Sequence, residues 1–266
     1  MKKIFSLMIF GLIGVSSFAQ DTLRLKFLNN ESLTSEQQFL GKDIYDSTYI
    51  KEEDIFKKNT KYSGVQYKSK QLDSLTSIDI TNPLELMLFY KEKKAIVIVN
   101  RELAERSIIE LGVKFPSMEV SYAGVSTKRN YWLVNERNKS VNLYNSVTYE
   151  LHRVFSIPLE SKVKQYYTLP HLFFWIDTDN VLHGYNLSGS NILTHKLASD
   201  YDLMQILEQD KLLYSYKDVL YFIDLKASKS FVVSTKEKSI SAFFYSNQKL
   251  SIFDGQKLNN YFIKLP

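Results

Sequence analysis

The chain has 266 residues, no cysteine and a formal net charge of +5, from 34 Lys and Arg against 29 Asp and Glu. Disulfides and thiolate chemistry are excluded, and the length is ample for a core that stabilises itself by burial alone. Basic residues are scattered, with short clusters only at Lys57-Lys58 and around Lys91–Lys94. A nucleic-acid binder concentrates such charge on one face, so nucleic acid is not an expected partner.

The first segment reads MKKIFSLMIFGLIGVSSFAQ. Lys2 and Lys3 give a positive start, Ile4 to Val15 an uncharged apolar stretch, and Ser17-Phe18-Ala19 the small residues of a cleavage site. This is the layout of a cleavable secretory signal, residues 1–19. The apolar stretch is shorter than the ~20 residues of a spanning helix. No later stretch is long and apolar enough to cross a bilayer as a helix. A lipid-modified cysteine after the cleavage site is excluded with the other cysteines. The expected location is the periplasm, or the inner face of an outer membrane by peripheral association.

Helical periodicity is sparse, and the best short candidates are Thr34–Leu40 and Arg101–Glu105. Past about residue 42 the chain is dominated by β signals, with 18 Tyr and 17 Phe accompanied by Val, Ile and Thr in short runs. One pattern recurs. A run ends in Asn or Asp and a turn follows: DIFKKN at Asn59, AIVIVN at Asn100, SVNLYN at Asn145, VLHGYN at Asn186, VLYFID at Asp224. NNYFIK, ending at Lys264, continues the series without the Asn or Asp. Successive ends lie 41, 45, 41, 38 and 40 residues apart. Before each lies another apolar run, such as ELMLFYK, NYWLVNER or HLFFWID, joined to it by a tight turn such as KEKK, RNKS, DTDN or DGQ. In most copies a third run precedes this hairpin and a fourth follows it.

Four short strands per ~40 residues is the blade period of a β-propeller. Radially stacked sheets cover both faces of each blade, so middle strands such as FFWI (173–176) can be apolar on both sides. The sequence therefore predicts an all-β chain of about six four-stranded blades, with residues 20–266 as one domain. A β-sandwich or a β-solenoid is the alternative. The last copy has only three strands, and TLRLKFL (22–28) is expected to supply the fourth and close the ring.

The run LTSIDITNPLELMLFYKEKKAIVIVNREL (75–103) and the ending KLSIFDGQKLNNYFIKLP (249–266) resemble an uncharacterised family of exported β-propeller-like proteins from Bacteroidota. The resemblance covers nearly all of the chain after the signal. It implies compartment and fold, and it brings no assigned activity. The WD dipeptides of WD40 repeats and the Asp boxes of sialidases are absent from the sequence.

Candidate chemistry is thin. The histidines are His152, His171, His183 and His195. No short-spaced pair of the kind a zinc site uses occurs among them. His183 and His195 fall on successive strands of one blade and could sit across from each other. Asp177-Thr178-Asp179-Asn180 resembles the start of a calcium loop, but Leu182 and Ser188 replace its Gly and acid, so it reads as a hairpin turn. There is no Gly-x-Ser-x-Gly elbow and no Gly-rich phosphate loop. Trp132 and Trp175 occupy equivalent strands of adjacent blades; they and Tyr131 either line a mouth or fill the space between blades.

The expected function is a non-catalytic envelope scaffold that presents a propeller face to partner proteins. Neither cofactor nor metal is expected. Possible ligand or partner contacts are Trp132, Trp175, Tyr131, Asp177 and Asp179. A glycan- or peptide-binding propeller is the alternative, and a hydrolase or lyase a more distant one.

Overall fold

The computed structural model describes residues 21–266. The segment read as a signal, 1–19, lies outside the described residues. Two strands open the described chain, β1 (Thr22–Arg24) and β2 (Lys26–Ser32). Six blades follow. The first holds β3 (Gln38–Lys42), β4 (Thr48–Glu52), β5 (Ile55–Asn59) and β6 (Gly64–Tyr67). The second holds β7 (Ser77–Asp79), β8 (Glu85–Tyr90), β9 (Ala95–Asn100) and β10 (Glu105–Glu110), followed by a single helical turn, α1 (Leu111–Lys114). The third holds β11 (Val120–Val125), β12 (Asn130–Asn135), β13 (Ser140–Asn145) and β14 (Leu151–Ser156). The fourth holds β15 (Val163–Leu169), β16 (Leu172–Asp177), β17 (Val181–Asn186) and β18 (Asn191–Lys196). The fifth holds β19 (Leu203–Glu208), β20 (Lys211–Tyr216), β21 (Val219–Asp224) and β22 (Lys229–Ser234). The sixth holds β23 (Ala242–Ser246), β24 (Lys249–Phe253) and β25 (Lys257–Phe262), with β2 as its outer strand. The protein is a six-bladed β-propeller.

The Asn or Asp that marked each repeat has a local cause. Asn100 Oδ1 accepts the N–H groups of Glu102 and Ala104 at 3.1 and 2.8 Å. Asn145 Oδ1 takes those of Val147 and Thr148, and Asn186 Oδ1 those of Ser188 and Ser190. Asp224 Oδ1 accepts from Ala227. Each side chain satisfies the turn that follows its strand. In the first blade Thr60 does this instead, its Oγ1 accepting from Ser63 N.

Middle strands are buried on both faces, as β8 and β9 show, because each blade is sandwiched between two others. Apolar clusters fill five of the six junctions, such as Trp132, Phe155, Phe173 and Trp175 between the third and fourth blades. The inner strands converge closely. A Cβ at Gly124 would sit 2.4 Å from Thr168 Oγ1, so only glycine fits there.

The sixth junction, where the ring closes, differs. Among the described residues its buried apolar cluster is small, Phe39, Phe253 and Leu258, with Ile50 opposite Phe39 and with Leu33, Ala242 and Phe244 half-buried against it. Polar contacts take over. Glu31 on β2 pairs with Lys42, accepts from Thr48 Oγ1 at 2.8 Å and from Asn260 Nδ2 at 3.1 Å. Asn260 also donates to Asn29 Oδ1 at 2.8 Å and accepts from Ser251 Oγ at 2.6 Å. Beside this seam Asp43 is sealed in, accepting from Tyr49 OH at 2.8 Å and lying 3.7 Å from Lys58 Nζ.

The closing strand was expected at 22–28, and the structure divides that segment. Only β2 pairs antiparallel with β25, from Lys26↔Phe262 to Ser32↔Lys257. β1 instead runs parallel to β22 and adds a fifth strand to the fifth blade. Leu23 and Leu25 are thereby drawn into the cluster between the fifth and sixth blades. The two short helix candidates are also corrected. Residues 34–37 form a turn into β3, and 101–104 a turn into β10. In both, strand pairing on the following residues outweighs a single turn of helical propensity.

Candidate functional site

The turns after the first and third strands of the first five blades, and the turn after the first strand of the sixth, lie on the same face, because consecutive strands of each blade run antiparallel. This face carries an uneven apolar display. Ile44, Tyr45, Tyr62, Leu84, Val147 and Tyr149 are 54 to 88% exposed, and all come from turns of the first three blades. Lys61 lies over the Tyr62 ring at 5.5 Å and Arg101 over the Tyr45 ring at 5.1 Å. Lys128 and Arg129 stand in the neighbouring turn of the third blade, and neither is in an ion pair among the described residues. The acids of these turns equal the cations in number, but fewer are free: Asp43 is buried and Asp46 is paired with Lys249, which leaves Glu102 and Glu150.

Within this display a cavity of about 710 Å³ opens between the first turns of the second, third and fourth blades. Pro83, Leu84, Met87, Ile98 and Val125 make it apolar, and Lys128 and Arg129 stand at its edge. Tyr131 lies on its floor, with burial pushing its phenol up to about 12. This is the one sequence-predicted contact residue that reaches the patch.

The structure disperses the others. Trp132 and Trp175 meet in the core between the third and fourth blades, 0 and 2% exposed. Trp132 packs on Phe173 and Trp175 stacks on His183, so both act as filler between blades. Asp177 and Asp179 lie in a second-turn hairpin on the opposite face. Asp177 Oδ1 accepts the N–H groups of Asp179 and Val181 at 2.9 and 2.8 Å, which makes it the cap of that turn. His183 and His195 do not face each other. His183 pairs with Thr194 and His195 with Leu182. That offset by one puts the two rings on opposite faces of the sheet.

The central channel, about 750 Å³, is lined by the six inner strands. Tyr122, Tyr166, Phe243 and Phe244 dominate its wall, and burial pushes the Tyr166 phenol up to about 12. Several of its polar groups are occupied. Asp79 accepts from Thr81 N and Val125 N, both at 2.9 Å. Gln205 exchanges two hydrogen bonds with the Tyr245 backbone, tying the fifth blade to the sixth. Glu208 and Lys211 stand 3.5 Å apart at the rim. No histidine lines it. Among the described residues no group of three His, Cys, Asp or Glu is placed to hold a metal. No described helix is long and apolar enough to cross a membrane.

No family model matches the chain, and no curated protein matches it. Solved structures do. Virginiamycin B lyase from Staphylococcus aureus superposes with a TM-score of 0.58 at 10% identity, over 91% of this chain and 95% of that one. BBS1N, solved in complex with ARL6DN, gives 0.58 at 14% identity, over 92% and 98%. The Neurospora crassa Pan2 WD40 domain gives 0.54 at 12% identity, over 84% and 74%. At these identities the likeness concerns the fold, and the fold it shows is the β-propeller.

Proposed function

We propose that this protein is a non-catalytic interaction module of a bacterial envelope, exported by residues 1–19 and docking a partner protein on the first-turn face of blades one to three. The observation that carries the reading is the grouping of Ile44, Tyr45, Tyr62, Leu84, Val147 and Tyr149 on one side of one face. Exposed apolar groupings of this kind mark interaction sites. The excess of Lys61, Arg101, Lys128 and Arg129 around it suits a partner segment that is apolar and acidic. The cavity above Tyr131 accepts the anchoring apolar side chain, and the cations meet the rim charges. That BBS1N and a component of the mitotic checkpoint complex were solved as assemblies supports the reading by analogy of fold. The periplasm, or the inner face of an outer membrane, is the compartment proposed.

Leu84→Asp and Lys128→Glu test the reading, because both residues are exposed and the fold should tolerate the changes. In crosslinking from native envelope, a partner held by the unmodified protein should be lost from the double variant, a weakening of about tenfold or more. Equal capture by the variant, or no stable partner, overturns the reading.

A further inference from the structure

The seam between the sixth and first blades holds a cleft of about 490 Å³, within the roughly 300–1,000 Å³ range of small-ligand sites. Its wall is unusual in chemistry. Five asparagines line it: Asn29, Asn30, Asn59, Asn247 and Asn260. Most of its charges are paired within the wall, Glu31 with Lys42 and Asp46 with Lys249, while the sealed Asp43 answers Lys58 and Lys61 is left over. Paired charges exert little pull on an anion or a cation. Phe244, Leu28 and Ile44 add an apolar strip.

The side chains are held in place before any ligand arrives. Thr48 and Ser251 are 2% exposed and Asn260 is 5% exposed. These three are fixed by the network around Glu31. Bonding capacity is left over. Lys42 spends one N–H on Glu31, and Lys249 contacts Asp46 at 2.6 and 2.7 Å, so each ammonium keeps a donor. Asn29 uses its carbonyl toward Asn260, which leaves its NH₂ group. Amides present donors and acceptors together, and so match groups that do both.

We infer that the seam cleft binds a neutral polyhydroxylated ligand, a sugar ring of hexose size. Its hydroxyls exchange hydrogen bonds with the asparagines and lysines, and its C–H face lies on Phe244. Two of the wall residues, Asn29 and Glu31, belong to β2, the strand that closes the ring. The ligand therefore binds the closed ring preferentially and stabilises it in proportion to its concentration. The cleft shares Ile44 and Lys61 with the first-blade edge of the docking patch but none of the residues around Leu84 and Lys128, so Leu84→Asp and Lys128→Glu leave it untouched and the two proposals fail independently.

Titration of the purified protein with methyl glucoside, N-acetylglucosamine, galacturonate and inorganic phosphate, followed by amide NMR shifts, tests the inference. A neutral sugar should give saturable shifts in the 43–47 and 247–248 turns and raise the melting temperature. Asn29→Ala and Lys249→Ala should each weaken that binding about fivefold. Lys249→Ala removes only an exposed ion pair and leaves the fold intact, so it decides the matter if Asn29→Ala loosens the seam. The proposal is overturned by no saturable shift from either neutral sugar, by unchanged affinity in Lys249→Ala, or by a response to galacturonate and phosphate alone.

Discussion

Lys58 carries an ammonium into a site where its side chain is 3% exposed, facing an Asp43 side chain that is 1% exposed. Burial holds the amine below the ordinary lysine value, and Asp43 offsets part of that shift. The two partners are not equally dependent on each other. Asp43 also accepts from Tyr49 OH and from the backbone N–H groups of Tyr45 and Ser47, whereas among the described residues Lys58 has otherwise the Arg101 carbonyl at 3.2 Å and the Tyr49 ring face at 5.4 Å. Breaking a buried pair from the side that strands a charge costs about 3–5 kcal/mol. Asp43→Ala should therefore cost about 3 kcal/mol or more, and Lys58→Met about 1–2 kcal/mol. Urea unfolding of the two variants measures the order, and a larger loss from Lys58→Met contradicts it. None of this was legible in the sequence, where Lys57-Lys58 reads as an exposed basic cluster. Strand alternation decides it: on β5 Phe56 and Lys58 point inward together, and nothing in local composition shows that an acid waits there. The tryptophans, open in the sequence between mouth and core, went to the core, where a large apolar ring in the middle of an apolar run packs best.

At the scale of elements, the hairpins were readable because two apolar runs and an Asn- or Asp-capped turn recur with each blade. The less regular strands escaped. β7 is short and β6 is mostly exposed, so neither has a strong apolar run. The closing strand shows why register is harder than existence. Leu23, Leu25 and Phe27 alternate as a strand should, which pointed to 22–28. The pairing with β25 is held further along by Asn29 and Glu31, through contacts with residues more than two hundred positions away. Polar partners that distant leave no local pattern. Glu31→Ala strands Lys42 and removes acceptors from Thr48 and Asn260, so a loss of about 2–3 kcal/mol is expected. Calorimetry should show the melting temperature fall by about 5–10 °C, at roughly 2–4 °C per kcal/mol for a chain of this size. A fall of less than a degree would mean that the backbone ladder alone closes the ring.

The whole molecule is a ring of aromatic junctions, and that sets its response to alkali. Burial raises the phenols of Tyr90, Tyr131 and Tyr166 to about 12, and others such as Tyr144 and Tyr214 in the same direction. A phenol whose folded value is raised gives up its proton more readily in the unfolded chain. Stability is therefore complete below about pH 10 and declines as pH climbs through 10 to 12. Tyrosinate absorbance and loss of β circular dichroism should rise together in one steep step over that window. A gradual titration near pH 10 with the fold intact would contradict the burial of these rings. The docking patch and the seam cleft lie on the same face and meet at Ile44 and Lys61 of the first blade.

The double attachment of the opening segment has a kinetic consequence. β1 is fastened to the fifth blade and β2 to the sixth, and Asn29 meets Asn260 across 231 positions. Joining such distant points in an unstructured chain would cost about 5 kcal/mol of loop entropy. Once the blades have stacked, their packing has already brought those points together, and the cost has been met. The clasp can therefore form only last, after the sixth blade exists to receive it. Until that moment the nascent ring is an open arc with two bare sheet edges. It is then most exposed to pairing with a neighbouring chain.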